Sequence, residues 1–138
     1  MKKVLFLTTL FFFSCKPHPV DYIEFINGYW EIENVYKNGK LLKEFKISQE
    51  IDYFRINNDL SGFRKKLKPN FNGSYTTSKD QLNFKLEIKF NKRLIIVYED
   101  NNTIFVEEIT KVNKTNLSIK NDKGMVYNYK VYKPLELN

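Results

Sequence analysis

Leu82, Phe84, Leu86, Ile88 and Phe90 alternate without a break with Asn83, Lys85, Glu87 and Lys89. A period of two held over this length specifies a β-strand with one apolar face buried and one polar face wet. The flanking sequence repeats the theme. Asn91-Lys92 predicts a turn into Arg93–Glu99, and Asp100-Asn101-Asn102 a second turn into Thr103–Val112. Asn113-Lys114 leads to Thr115–Lys120, where Leu117 and Ile119 share the inward face. Asn121-Asp122-Lys123-Gly124 predicts a hairpin connection. The last strand, Met125–Tyr132, then sets Met125, Tyr127, Tyr129 and Val131 on one side, and Pro134 ends it.

The first half is less regular but of the same kind. Gly28–Tyr36 places Trp30 and Ile32 on one side and Glu31 and Glu33 on the other, and Asn38-Gly39 is a strong hairpin signal. Ile51–Ile56, Gly62–Leu67 and Phe71–Thr77 read as further strands, whereas Val20–Ile26 and Leu41–Lys46 are the stretches that suit a helical turn. Composition agrees. The 138 residues include no alanine, the best helix former, against 12 Phe and 9 Tyr. The expected fold class is all-β: roughly eight to ten short antiparallel strands in an up-and-down barrel, because closure removes the exposed edges of an open sheet.

The start of the chain reads as an address. Lys2 and Lys3 precede an apolar and threonine-bearing run, Val4–Phe13, too short to span a bilayer as a helix, and Ser14-Cys15 follows. This arrangement resembles the lipobox of bacterial lipoproteins. The resemblance implies cleavage before Cys15, a lipidated Cys15 as first mature residue, and palmitate among its acyl chains. Lys16-Pro17-His18-Pro19 reads as a stiff spacer, and His18 as a solvated linker residue. The expected division is 1–14 signal peptide, 15–26 lipidated tether, 27–134 barrel domain and 135–138 tail. No acidic cluster follows Cys15, which leans the anchor toward the periplasmic face of the outer membrane.

Gly28-Tyr29-Trp30 looks like the Gly-x-Trp signature of the lipocalin superfamily. The rest of the chain is similar to lipocalin-like lipoproteins of Flavobacterium and other Bacteroidetes, on Gly28–Lys40, Gly62–Lys66 with Lys68-Pro69, Asn72–Tyr75, and Tyr127 through Pro134. The resemblance implies that Gly28 bends the chain in under the barrel and that Trp30 plugs its closed end. It also implies an Arg or Lys of the last strand laid over that Trp, which makes Lys130 the candidate. Functionally it implies a non-catalytic cup for a small hydrophobic or amphiphilic ligand. Inward Phe84, Leu86, Ile88, Phe90, Tyr127 and Tyr129 leave two interiors open, a hollow cavity or one filled by its own side chains. A filled barrel makes the chain a structural or interaction lipoprotein that docks an envelope partner.

Charge and residue usage narrow the classes. One Cys and one His, both within the first 18 residues, exclude an intrachain disulfide, a Cys/His zinc cage and a His-based triad in the folded domain. No metal site and no cofactor motif is expected. The formal charge is +7, two units of it from Lys2 and Lys3. Arg64, Lys66 and Lys68 share one strand face and read as a solvated outer stripe, a candidate contact for anionic headgroups. Nucleic acid is not the expected partner of an envelope domain. Glu107 and Glu108 face opposite sides of their strand, so they do not form an acid/base pair. A monomeric, non-enzymatic module is the expectation.

Overall fold

The computed structural model describes residues 17–134. The expected signal segment, Cys15 and the tail 135–138 lie outside the described residues. Two short 3-10 turns, Pro19–Asp21 and Ile23–Ile26, precede nine antiparallel strands: β1 (Gly28–Lys37), β2 (Lys40–Glu44), β3 (Ile51–Ile56), β4 (Ser61–Pro69), β5 (Tyr75–Ile88), β6 (Leu94–Asp100), β7 (Thr103–Val112), β8 (Asn116–Asn121) and β9 (Met125–Val131). Each strand from β3 to β9 pairs with its sequence neighbour, and β9 returns to pair with β1 from Lys37↔Met125 to Trp30↔Val131. The other edge of β1 holds β3 at Gly28–Trp30 and β2 at Asn34–Lys37. β2 and β3 therefore lie end to end along one edge, and the result is a closed eight-stranded antiparallel barrel with β2 as an extension.

Local sequence accounts for most of this. The Asn38-Gly39 turn has positive φ at both residues (51° and 77°), the twist that suits a two-residue hairpin. Asn101 and Asn102 are likewise left-handed between β6 and β7. Gly28 takes φ +123°, a value that strains any side chain, and swings the chain out of the second 3-10 turn into β1. The inward faces meet in one cluster of Trp30, Phe54, Phe84, Leu86, Leu94, Ile96, Tyr98, Ile109, Leu117, Ile119 and Tyr129, closed below by Ile23 and Ile26. Each such side chain contributes about 1.5–3 kcal/mol by leaving water. On the outer face, Asn128 donates to Asn34 Oδ1 at 2.7 Å and accepts from Ser118 Oγ at 2.6 Å, a polar ladder along the β8–β9–β1 seam.

Four expectations need correction. Leu41–Lys46 is not helical: the Asn38-Gly39 hairpin carries the chain back along β1, and Lys40–Glu44 is strand. Phe71–Thr77 is not a separate strand. Tyr75–Ile88 runs unbroken, with an irregularity opposite Lys66 where Lys65 pairs Gln81 and Leu67 pairs Thr77. β5 stops at Ile88, so Phe90 stands wholly exposed in a turn and does not face inward. Residues 19–26 are body and not tether, since Pro19, Ile23 and Ile26 are buried under the barrel.

Candidate functional site

β3 and β4 are paired so that Asp52 faces Lys66 and Phe54 faces Arg64. Since Phe54 is fully buried in the core, Arg64 on the same side enters the barrel. Its side chain is only 14% exposed and pairs with Asp52 at 3.1 Å. One terminal nitrogen, Nη2, donates to Asp52 Oδ2 and to Tyr129 Oη, the latter at 2.8 Å. The other, Nη1, donates to Tyr98 Oη at 3.2 Å and to Glu107 Oε2 at 3.4 Å. Tyr98 in turn donates to Glu107 Oε2 at 3.0 Å. The guanidinium also lies over the Phe54 ring, 5.0 Å from its centroid. Lys66 reaches in from the rim to place Nζ 3.0 Å from Asp52 Oδ1, an oxygen that makes no well-directed hydrogen bond of its own.

Burial and neighbouring charge act in opposite directions on Asp52 and Arg64. Burial pushes the Asp52 carboxyl up, but the charges of Arg64 and Lys66, with the hydrogen bond from Arg64, outweigh it and leave the group below the usual aspartate range. Burial likewise pulls Arg64 down, and Tyr129, Asp52 and Tyr98 more than restore it. Tyr98 and Tyr129 are raised, chiefly by burial, and stay neutral hydroxyls. Within the layer every hydrogen bond of the Arg64 terminal nitrogens ends on a carboxylate or a tyrosine hydroxyl, and Asp52 Oδ1 faces the Lys66 ammonium. Among the described residues no group of three or more His, Cys, Asp or Glu is placed to hold a metal ion.

The residues singled out from sequence are thus dispersed. Arg64 is not part of a solvated outer stripe: alternation puts it on the face of Phe54, and the apolar floor beneath it makes that face the inside. Lys66, about half exposed, is tied to Asp52, and Lys68, at the rim, lies 3.7 Å from Glu50. Trp30 is 2% exposed, and its indole Nε1 donates to the Ile26 carbonyl at 2.8 Å. Lys130 does not cover it, because its register partner is Glu31 on the opposite face. Glu107 turns inward to Tyr98, while Glu108 turns outward into a two-pronged pair with Arg93 at 3.0 and 2.7 Å. Sequence reading missed Asp52, Tyr98, Glu107 and Tyr129 as a set. The available signal was parity, since Asp52 shares a face with Phe54, and Glu107 with Ile109.

Two grooves lie apart from this layer. One, of about 380 Å³, runs from Pro17 and Tyr22 past Asn91, Lys92 and Arg93 to Ile109–Val112. The other, of about 650 Å³, lies on the outer face of β5–β7 between Phe90, Ile95, Val97 and Val106.

A closed up-and-down barrel, filled by apolar side chains and crossed inside by an arginine, is a lipocalin-type architecture. Within that class the chain belongs to the lipocalin-like domain family, whose model matches residues 26–119. Among solved structures it is similar to a lipocalin-like protein from Bacteroides uniformis, 9% identical with a TM-score of 0.46, over 78% of this chain and 99% of that one. It is also similar to an uncharacterized protein from Bacteroides eggerthii, 13% identical with a TM-score of 0.46, over 77% of this chain and 98% of that one. No curated protein matches the chain.

Proposed function

We propose that this chain is a lipid-anchored, non-catalytic lipocalin-like module of the cell envelope, which engages its partners at its surface and carries no ligand in a central cup. The observation that supports this reading is Arg64. Its guanidinium ties β4 to Asp52 of β3, Tyr98 of β6, Glu107 of β7 and Tyr129 of β9 across the barrel interior. A ligand entering there has to displace these charge-assisted hydrogen bonds, at a cost of several kcal/mol. The lipocalin-like fold supports a binding role as a class, and the site, not the fold, decides where binding happens.

The anchor part of the proposal rests on Lys2-Lys3, the apolar run and Ser14-Cys15. Two or more acyl chains hold a protein on a membrane persistently, where one does so marginally. Both parts are testable in the host. A palmitate analogue is expected to label the protein and to fail on Cys15→Ala, and label that survives that change refutes the anchor. Native mass spectrometry of protein purified from its host, without its anchor, is expected to show no small-molecule adduct. A stoichiometric apolar adduct refutes the filled interior and favours the carrier of a small hydrophobic ligand.

A further inference from the structure

We infer that the barrel end bearing the β5–β6 turn faces the bilayer, with Phe90 entering the interface of an anionic membrane between the basic residues around it. The inference rests on the proposed anchor at Cys15. Pro17 lines the same groove as Asn91, Lys92 and Arg93. Cys15 stands two residues before Pro17, so the two are separated by at most about 7 Å of chain. Acyl chains on Cys15 therefore leave the protein beside the 89–93 turn and set which end meets the lipid.

That end is built for such a contact. Phe90 projects wholly exposed from the turn, and Val106, 44% exposed, lines the same outer groove. Val20, in the neighbouring 3-10 turn, is 64% exposed. An exposed aromatic ring and aliphatic groups gain by sinking into the headgroup boundary, while long cationic stems reach back to the phosphates. Lys89, Lys92, Arg93 and Lys111 line the two grooves, against the carboxylates of Glu87 and Glu108. Lys89 and Arg93 hold those two carboxylates in ion pairs at 2.6 and 2.7 Å. The opposite end carries an exposed ring too, Phe71 in the β4–β5 connection, so the position of Pro17 beside the 89–93 turn is what selects the end. One ring and a few cations bind a bilayer weakly, so the acyl chains supply attachment and the turn supplies orientation.

The test uses the acylated protein purified from its membrane and returned to vesicles of phosphatidylethanolamine and phosphatidylglycerol, with or without brominated acyl chains. Phe90→Trp and Lys123→Trp place an indole at each end, over the constant background of buried Trp30. Brominated lipid is expected to quench Phe90→Trp at least about threefold more strongly than Lys123→Trp, as for a side chain at the acyl boundary. Equal quenching, or stronger quenching at position 123, overturns the orientation. Intact mass, read first, separates the two readings. Protein without acyl mass overturns the anchor and the orientation with it, whereas acylated protein with no difference between the ends overturns the orientation alone.

Discussion

Replacing Arg64 by Met keeps most of the stem and removes the charge. Four hydrogen bonds disappear, two of them to carboxylates. Asp52, 3% exposed, keeps only Lys66 among its ion-pair partners, and Glu107, 15% exposed, keeps the Tyr98 hydroxyl. Breaking a buried pair by deleting one partner costs about 3–5 kcal/mol, because the survivor stays buried and uncompensated. For a domain of this size that is a fall of roughly 10–20 °C in Tm. The loss has a pH signature. In the native protein the Asp52 carboxyl lies below its unfolded value, so its contribution is whole above about pH 4 and is lost as pH falls through the lower folded value. Without Arg64 burial dominates, the folded value rises above the unfolded one, and the variant loses stability as pH rises toward neutrality. The gap between the two proteins is therefore widest near pH 7 and narrows toward pH 4. Urea unfolding followed by circular dichroism at both pH values measures it. Adding Asp52→Asn to Arg64→Met should recover part of the loss by removing the stranded charge. A gap under about 1 kcal/mol, or one that does not change with pH, refutes the account of Arg64 as the tie across the interior.

Two further substitutions probe the barrel itself. Trp30→Ala empties the closed end and strands the Ile26 carbonyl, and it should cost about 3–5 kcal/mol; an unchanged thermal midpoint contradicts the packing described for this ring. Gly62→Ala is expected to destabilise by about 1–3 kcal/mol or more, since the new methyl group presses on the Arg55 carbonyl oxygen and sits 2.8 Å from the Phe84 ring. Wild-type stability in that variant by calorimetry would mean that β3, β4 and β5 are not this closely packed.

Strand identity and parity were legible in the chain because both are local. The alternation through Leu82–Ile88, the Asn38-Gly39 hairpin and the paired asparagines at 101 and 102 each express a backbone preference that needs no distant partner. The same locality explains the failures. Phe90 has the parity of an inward residue, but the strand ends two residues before it. Lys40–Glu44 lacks alternation, and only its pairing along β1 makes it strand. Parity also showed that Arg64, Lys66 and Lys68 share a face. It did not say which face, because a charged residue beside apolar ones reads equally as rim or interior until its partners are known.

Those partners come from four different strands, and the chain separates Asp52 from Tyr129 by more than half its length. Closure of β9 on β1 curls the sheet until their side chains meet, a consequence of long-range register that no short window of sequence contains. The amino-acid order by itself determined an antiparallel, turn-linked barrel with aromatic inward faces. Only the tertiary structure decided that the inside is bridged by charge, because the Coulomb attraction that makes a buried arginine tolerable exists only once distant carboxylates stand within hydrogen-bonding reach.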